Sequence, residues 1–144
     1  MASTHVAHDC LVGDNVIMSN LATLGGHVQI GNWAILGGGV LVHQFTQIGE
    51  HSLIGGGFRA VQDVPPFIIA ANHPLEYKGV NIVGLKRRGF SKKDIDSIKK
   101  VYRWFFRSGG NRKTAIKKIE SESPKTKVIQ KILDFIKYSN RGII

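Results

Sequence analysis

Apolar residues stand at every sixth position through the first part of the chain: Val6, Val12, Met18, Leu24, Ile30, Leu36, Val42, Ile48, Ile54 and Ala60. The positions four further on, from Cys10 and Val16 to Phe58 and Val64, are never charged. Positions i and i+4 share parity, so in an extended segment both side chains point to one face, here inward. Glycine follows six of the ten apolar positions, at Gly13, Gly25, Gly31, Gly37, Gly49 and Gly55, where the missing Cβ is expected to permit a turn. Each hexad therefore predicts one short strand and one corner. Three hexads close a triangular coil of 18 residues, placing residue n over residue n+18 at one strand spacing, about 4.8 Å. The expected fold is a β-solenoid; a sandwich of short strands would not keep a fixed six-residue beat.

The beat ends after Ala60, and Pro65-Pro66, which cannot donate to a ladder, are expected to close the solenoid, giving it residues 1–66. Residues 67–90 read as a connecting segment. Ser91 with Asp94 three residues on is a capping-box variant. Ile95, Ile98, Val101, Tyr102, Phe105 and Phe106 then recur at helical spacing until Gly109-Gly110. Two more amphipathic helices are expected over about 112–121 and about 125–138, so that residues 91–144 make a small three-helix domain. Trp104, Phe105 and Phe106 fall inside its apolar pattern and read as core.

Charge separates the two halves. Of 20 Lys and Arg only Arg59 precedes residue 71, leaving residues 1–70 at net −3 and residues 71–144 at net +13. The single Cys10 sits at an inward position, which excludes an internal disulfide framework and fits a reducing, cytoplasmic compartment. No apolar run approaches 20 residues, so no membrane span is expected. In-phase hexads follow Met1 almost at once with no polar capping coil, and the chain is expected to be the C-terminal part of a longer protein.

Five segments occur together and in order: Thr4-His5-Val6-Ala7-His8-Asp9-Cys10, Ala22-Thr23-Leu24-Gly25-Gly26-His27-Val28, Val42-His43-Gln44-Phe45, Gln62-Asp63-Val64-Pro65-Pro66, and Gly79-Val80-Asn81-Ile82 leading to Gly84-Leu85-Lys86-Arg87-Arg88-Gly89-Phe90. This set resembles the acyl-carrier-protein–UDP-N-acetylglucosamine O-acyltransferases, which open lipid A synthesis, and the likeness runs along essentially all 144 residues. Hexads alone are common to many acyltransferases; the first and last of these segments are the specific ones. The resemblance implies a left-handed parallel β-helix of hexapeptide repeats followed by a small C-terminal α-helical domain. It also implies a homotrimer with its active sites between neighbouring chains. The reaction implied moves a 3-hydroxyacyl chain from acyl carrier protein to the 3-hydroxyl of UDP-N-acetylglucosamine. No cofactor is implied beyond the phosphopantetheine that the carrier protein brings.

Register gathers the same residues independently. His8 falls at a corner, and 18 and 36 residues on come Gly26 and Gln44, beside His27 and His43. A sugar hydroxyl is a poor nucleophile at neutral pH, and an imidazole with its ordinary pKa near 6.5 is largely neutral there and can accept the hydroxyl proton. By the resemblance His8 is the general base, Asp9 its orienting carboxylate and the Gly26 N–H the oxyanion donor. His5, His27, His43 and Gln44 correspond to sugar and nucleotide contacts, Asn81 and Arg87 to nucleotide or pantetheine contacts with Arg88 beside them. Gly56, with Leu53 next, corresponds to the position that sets acyl-chain length. Val83 stands where some relatives carry an acidic nucleotide contact.

Other readings are weaker on these residues. Stacked histidines suggest a metal, but zinc needs donors at about 2.0–2.3 Å from one point, and ladder positions are expected to point parallel; none is expected. Nucleic-acid binding by the basic domain lacks exposed aromatic stacking residues. A related N-acyltransferase would match the Gly-Leu-Lys-Arg-Arg segment poorly, and an inactive trimeric fragment that keeps the fold is the remaining alternative. A face of net +13 beside the cleft offers acidic acyl carrier protein a docking surface.

Overall fold

The computed structural model describes residues 1–144. Ten strands of two residues recur on the six-residue beat, from β1 (His5–Val6) through β2 (Leu11–Val12), β3 (Ile17–Met18), β4 (Thr23–Leu24), β5 (Gln29–Ile30), β6 (Ile35–Leu36), β7 (Leu41–Val42), β8 (Gln47–Ile48) and β9 (Leu53–Ile54) to β10 (Arg59–Ala60). All stack in parallel on three faces: β1-β4-β7-β10 on the first, β2-β5-β8 on the second, β3-β6-β9 on the third. The register is the expected 18, with His5 over Thr23 and Leu41 over Arg59. Both inward sets are buried: Leu24, Leu36 and Ile54 from the strands, Ala22, Val28, Ala34 and Val40 from the corners, all 0% exposed. Coverage by the neighbouring coil decides this burial. Val6 and Val12, with a coil of this chain on one side only, are 48% and 44% exposed, while Leu24 and Ile30, with one on both sides, are 0% and 4% exposed. Full burial of such a side chain stabilises by about 1.5–3 kcal/mol.

The corners differ from expectation in one respect. The left-handed backbone falls three residues after each inward position, at Asp9, Asn15, Leu21, His27, Trp33, Phe45 and His51, with φ between 55° and 68°. Glycine holds this turning position only at Gly39 and Gly57, with φ of 71° and 80°. The glycines just after the inward positions serve close approach between coils instead: a Cβ on Gly31 would lie 2.5 Å from the Glu50 nitrogen, and one on Gly49 would lie 2.3 Å from that of Pro66.

Nor do the prolines end the stack. Val64 bridges Ile48, and β11 (Ile68–Ala71) lies parallel on β9, with Ile69 paired to Leu53. Pro65-Pro66 occupy a corner where no ladder donor is required, and bonding resumes when the Phe67 N–H donates to Glu50 O. The expected connecting segment is largely structured: β12 (Glu76–Val80) returns antiparallel along β11, and α1 (Ile82–Arg87) follows.

The three expected helices form as α2 (Lys92–Phe106), α3 (Arg112–Glu122) and α4 (Lys127–Lys137), each capped by a side-chain oxygen, of Ser91, Asn111 and Thr126. Phe105 is buried in their core, with Trp104 and Phe106 partly buried at its edge. Buried polar groups help join this domain to the solenoid. The Tyr102 hydroxyl donates to Pro66 O at 2.5 Å. Buried Asp63 accepts from the Gln47 N–H through one carboxylate oxygen and from Ser139 Oγ–H through the other, while its backbone bridges Ile143. No helix is long and apolar enough to cross a membrane.

Candidate active site

The corner between the first and second faces stacks His8-Asp9 over Gly26-His27 over Gln44-Phe45. Its ladder is carried by the left-handed residues: the His27 N–H donates to His8 O and the Phe45 N–H to Gly26 O, both at 3.0 Å. Positive φ at Asp9 lets two neighbouring side chains, which would diverge on a straight strand, meet at the corner. His8 Nδ1 lies 3.0 Å from Asp9 Oδ2, and His27 Nε2 lies 3.8 Å from the same oxygen. The hydrogen bond from His8, then the neighbouring His27, hold the Asp9 carboxyl below its usual range. An ionised carboxylate can only accept, so Nδ1 carries the proton and Nε2 of neutral His8 is left with a free lone pair.

Gly26 lies directly beneath that imidazole. A Cβ there would sit 2.7 Å from His8 Cε1 and 2.8 Å from Nε2, so any side chain at this position would push the ring out of its present place. The Gly26 N–H donates to no acceptor of the chain. His5, His43 and Gln44 are exposed, His5 and His43 on or next to the first face and Gln44 under Gly26. One site residue escaped the sequence reading: Phe45, 54% exposed, stacks on His27 with ring centroids 4.7 Å apart. A large apolar residue at an outward corner position was the available signal.

The donor atoms of His8, Asp9 and His27 all lie within 4.8 Å of one another, because the Asp9 carboxylate reaches between the two rings. A cation there would compete with the Nδ1 proton that Asp9 already holds.

Asn81, Arg87 and Arg88 belong to the next corner, between the second and third faces. Trp33, His51 and Phe67 form an aromatic column there, with His51 centroids 6.3 Å from Trp33 and 5.8 Å from Phe67. Asn81 corrects an expectation. It is 3% exposed; its Nδ2 donates to His51 O at 3.0 Å and its Oδ1 accepts from the Gly84 N–H, so it caps and anchors α1 instead of facing a ligand. Arg88 Nη1 lies 3.2 Å from His51 Nδ1, and its guanidinium stands 5.3 Å over the Trp33 ring. Arg87 is exposed, as is Val83. His51, 8% exposed, was missed in the sequence; burial pushes its pKa down to about 4. A single chain thus keeps the arginines and His8 on different corners.

The third corner is bare of side chains where Gly38-Gly39 and Gly56-Gly57 stack; a Cβ on Gly56 would lie 3.2 Å from Gly38 O. Leu53 projects from β9 in a file with Ile17, Ile35 and Ile69 on the outer third face.

Residues 63–144, more than half of the chain, match the profile of the family described as UDP-N-acetylglucosamine O-acyltransferase, domain 2. The chain is 46% identical over 142 residues to the acyl-[acyl-carrier-protein]–UDP-N-acetylglucosamine O-acyltransferase of Aliivibrio salmonicida, covering 99% of this chain and 54% of that protein. The corresponding protein of Thiobacillus denitrificans is 43% identical, with 100% and 56% covered. Among solved structures, a UDP-N-acetylglucosamine acyltransferase from Bacteroides fragilis superposes with a TM-score of 0.96 at 44% identity, covering 99% of this chain and 56% of that one. The Arabidopsis enzyme gives 0.92 at 33% identity, with 98% and 52% covered. The chain spans about half the length of these relatives. With the left-handed β-helix, the helical domain and the sequence all in agreement, the chain belongs to the UDP-N-acetylglucosamine O-acyltransferase family.

Proposed function

We propose that this chain carries the acyl-transfer site of an enzyme that moves a 3-hydroxyacyl group from acyl carrier protein to the 3-hydroxyl of UDP-N-acetylglucosamine, the first step of lipid A synthesis. The observation that supports it best is the corner itself: an imidazole fixed by a carboxylate at Nδ1, with its Nε2 free over a glycine whose N–H is unspent. His8 Nε2 takes the proton of the sugar hydroxyl as that oxygen attacks the thioester carbon. The carbonyl oxygen becomes an oxyanion and accepts from the Gly26 N–H. Collapse of the tetrahedral intermediate breaks the carbon–sulfur bond, and the leaving thiolate recovers the proton from the His8 imidazolium. Asp9, ionised throughout, stabilises that imidazolium and keeps the tautomer.

His5, His27, His43 and Gln44 surround the base and contact the sugar and nucleotide in this reading, with Phe45 supporting His27. Arg87, on the other corner, reaches the substrate from a neighbouring chain of a homotrimer, so each site is shared between two copies. The acyl chain runs toward Gly56 and Leu53. The carrier protein docks by charge on the basic domain. A groove of about 710 Å³ between β12 and α2 is lined by Lys99, Arg103 and Arg107, together with Lys78 paired to Glu76, and is positive on balance. The compartment is the cytoplasm.

His8→Ala tests the reading. Removal of a general base costs about 10²–10⁴-fold in rate. The side chain is 73% exposed, so the melting temperature should stay at the wild-type value. Turnover above a tenth of wild type in His8→Ala would overturn the assignment.

A further inference from the structure

His51 is the only one of the six histidines that is buried, and it takes no part in the proton transfer proposed above. Both ends of α1 are tied to it. At the start of the helix, Asn81 Nδ2 donates to its backbone oxygen at 3.0 Å; at the end, Arg88 Nη1 donates to its ring Nδ1 at 3.2 Å. Arg88 is also the residue whose N–H closes α1, donating to Gly84 O and Leu85 O. A helix of six residues does not hold itself in water, so its placement depends on such ties and on Leu85, which is fully buried beneath it. Arg87 sits in the last turn, exposed and without an ion pair of its own.

We infer that His51 is a positioning residue: by accepting the hydrogen bond of Arg88 it fixes the last turn of α1 and so presents Arg87 to the sugar nucleotide. The role of Arg87 rests on the function proposed above; the tie to His51 rests on geometry alone. An arginine can only donate, so the bond requires a lone pair on Nδ1 and hence a neutral ring with its proton on Nε2. Burial and the nearby Arg88 and Lys131 charges favour that neutral form, with Glu50 alone opposing them, and the acceptor is present throughout the neutral range. The ring plane is set by Trp33 and Phe67 on its faces and by Phe90 edge-on at 4.9 Å. Trp33 meanwhile supports the far side of the guanidinium.

His51→Phe removes the acceptor and keeps the ring. Phe45 and Phe67 hold left-handed corner positions at φ 64° and 70°, so phenylalanine suits the φ of 55° at His51. Loss of a charge-assisted hydrogen bond should raise KM for UDP-N-acetylglucosamine by about five- to tenfold, with kcat within twofold of wild type and an unchanged melting temperature. His51→Asn should restore KM, since its Oδ1 stands where Nδ1 did and asparagine tolerates this backbone, as at Asn15. Arg88→Ala should match His51→Phe, and the double variant should be no worse than either single one. A wild-type KM in His51→Phe, with KM raised in Arg87→Ala, would overturn the positioning role while leaving the substrate reading intact. A wild-type KM in Arg87→Ala would overturn both. If His51→Phe does not fold, Arg88→Ala decides, because it breaks the same bond from the other side and a wild-type KM there sinks the inference.

Discussion

Two corners of one prism share a backbone and differ in chemistry. Each puts its third residue in the left-handed region, Asp9, His27 and Phe45 at one and Trp33, His51 and Phe67 at the other, and passes the ladder through such N–H groups, of His27 and Phe45 at the first and of all three at the second. Each stacks a histidine on an aromatic ring. Yet His27 is 44% exposed beside a carboxylate, while His51 is 8% exposed, neutral and hydrogen-bonded to an arginine. Cover makes the difference. At the first corner the C-terminal tail reaches only Asp63 and leaves His8, Asp9 and His27 exposed, whereas α1, Phe90 and Lys131 of α4, paired with Glu50 at 2.9 Å, close over the second. The repeat supplies equivalent positions, and whether a histidine there does proton chemistry or holds structure is decided by what the rest of the chain lays on top of it.

What the corners share is broken most severely at Gly31. If that glycine serves inter-coil clearance, Gly31→Ala forces a Cβ to within 2.5 Å of the Glu50 backbone and should cost about 2–4 kcal/mol in unfolding experiments. Gly57→Ala is the control for the turn. Gly57 has φ 80° with nothing within 4 Å of an added Cβ, so only the left-handed strain of about 1–2 kcal/mol applies. A milder loss for Gly31→Ala than for Gly57→Ala would return the glycines to the turning role that the sequence suggested.

Much of this was legible in the hexad beat, because in a solenoid each side chain's neighbour is fixed by counting 18 residues. The three faces, the inward sets and the stacking of His8 over Gly26 needed nothing else. The helices α2, α3 and α4 announced themselves by caps and apolar spacing. What counting could not reach was contact between residues of different periodicity. Asn81 is 30 positions from His51 and Arg88 is 37, with a hairpin and α1 intervening, so neither the burial of Asn81 nor the tie to His51 has a local signal. The same limit applied to Pro65-Pro66, read as a stop because proline ends ladders, although a corner asks no donor of it. The turn was misplaced for a related reason: glycine permits positive φ, but the corners need it two residues beyond the predicted glycines, mostly at residues that carry side chains, with glycine there only at Gly39 and Gly57.

At the open corner, Asp9→Asn separates charge from shape. The amide oxygen can still accept from His8 Nδ1, but a neutral group does not stabilise the imidazolium formed as the hydroxyl loses its proton, so kcat/KM should fall about tenfold to a hundredfold. Asp9 is 66% exposed, and stability should not change. Wild-type kcat/KM in Asp9→Asn would make the carboxylate a solvated neighbour and leave His8 to act alone.

The covered corner should reveal itself through acid. His51 has a folded-state pKa of about 4 against an ordinary 6.5, so between those values the unfolded chain binds a proton that the folded one refuses. The sign follows: its contribution to stability is complete above pH 6.5 and is lost as pH falls toward 4. Glu50 favours protonation, while Arg88 and Lys131 oppose it together with burial, and solvent at the rim of the cluster screens all three charges. The loss attributable to His51 should therefore be about 1–2 kcal/mol, smaller than the bare shift suggests. Urea unfolding at fixed protein concentration, at pH 7 and pH 4.5, reads it as the difference between wild type and His51→Phe, since every other titrating group is common to both. The wild type should lose more stability than the variant over this interval. Parallel losses would mean that His51 titrates as an exposed histidine does and that the two corners differ less than their geometry indicates.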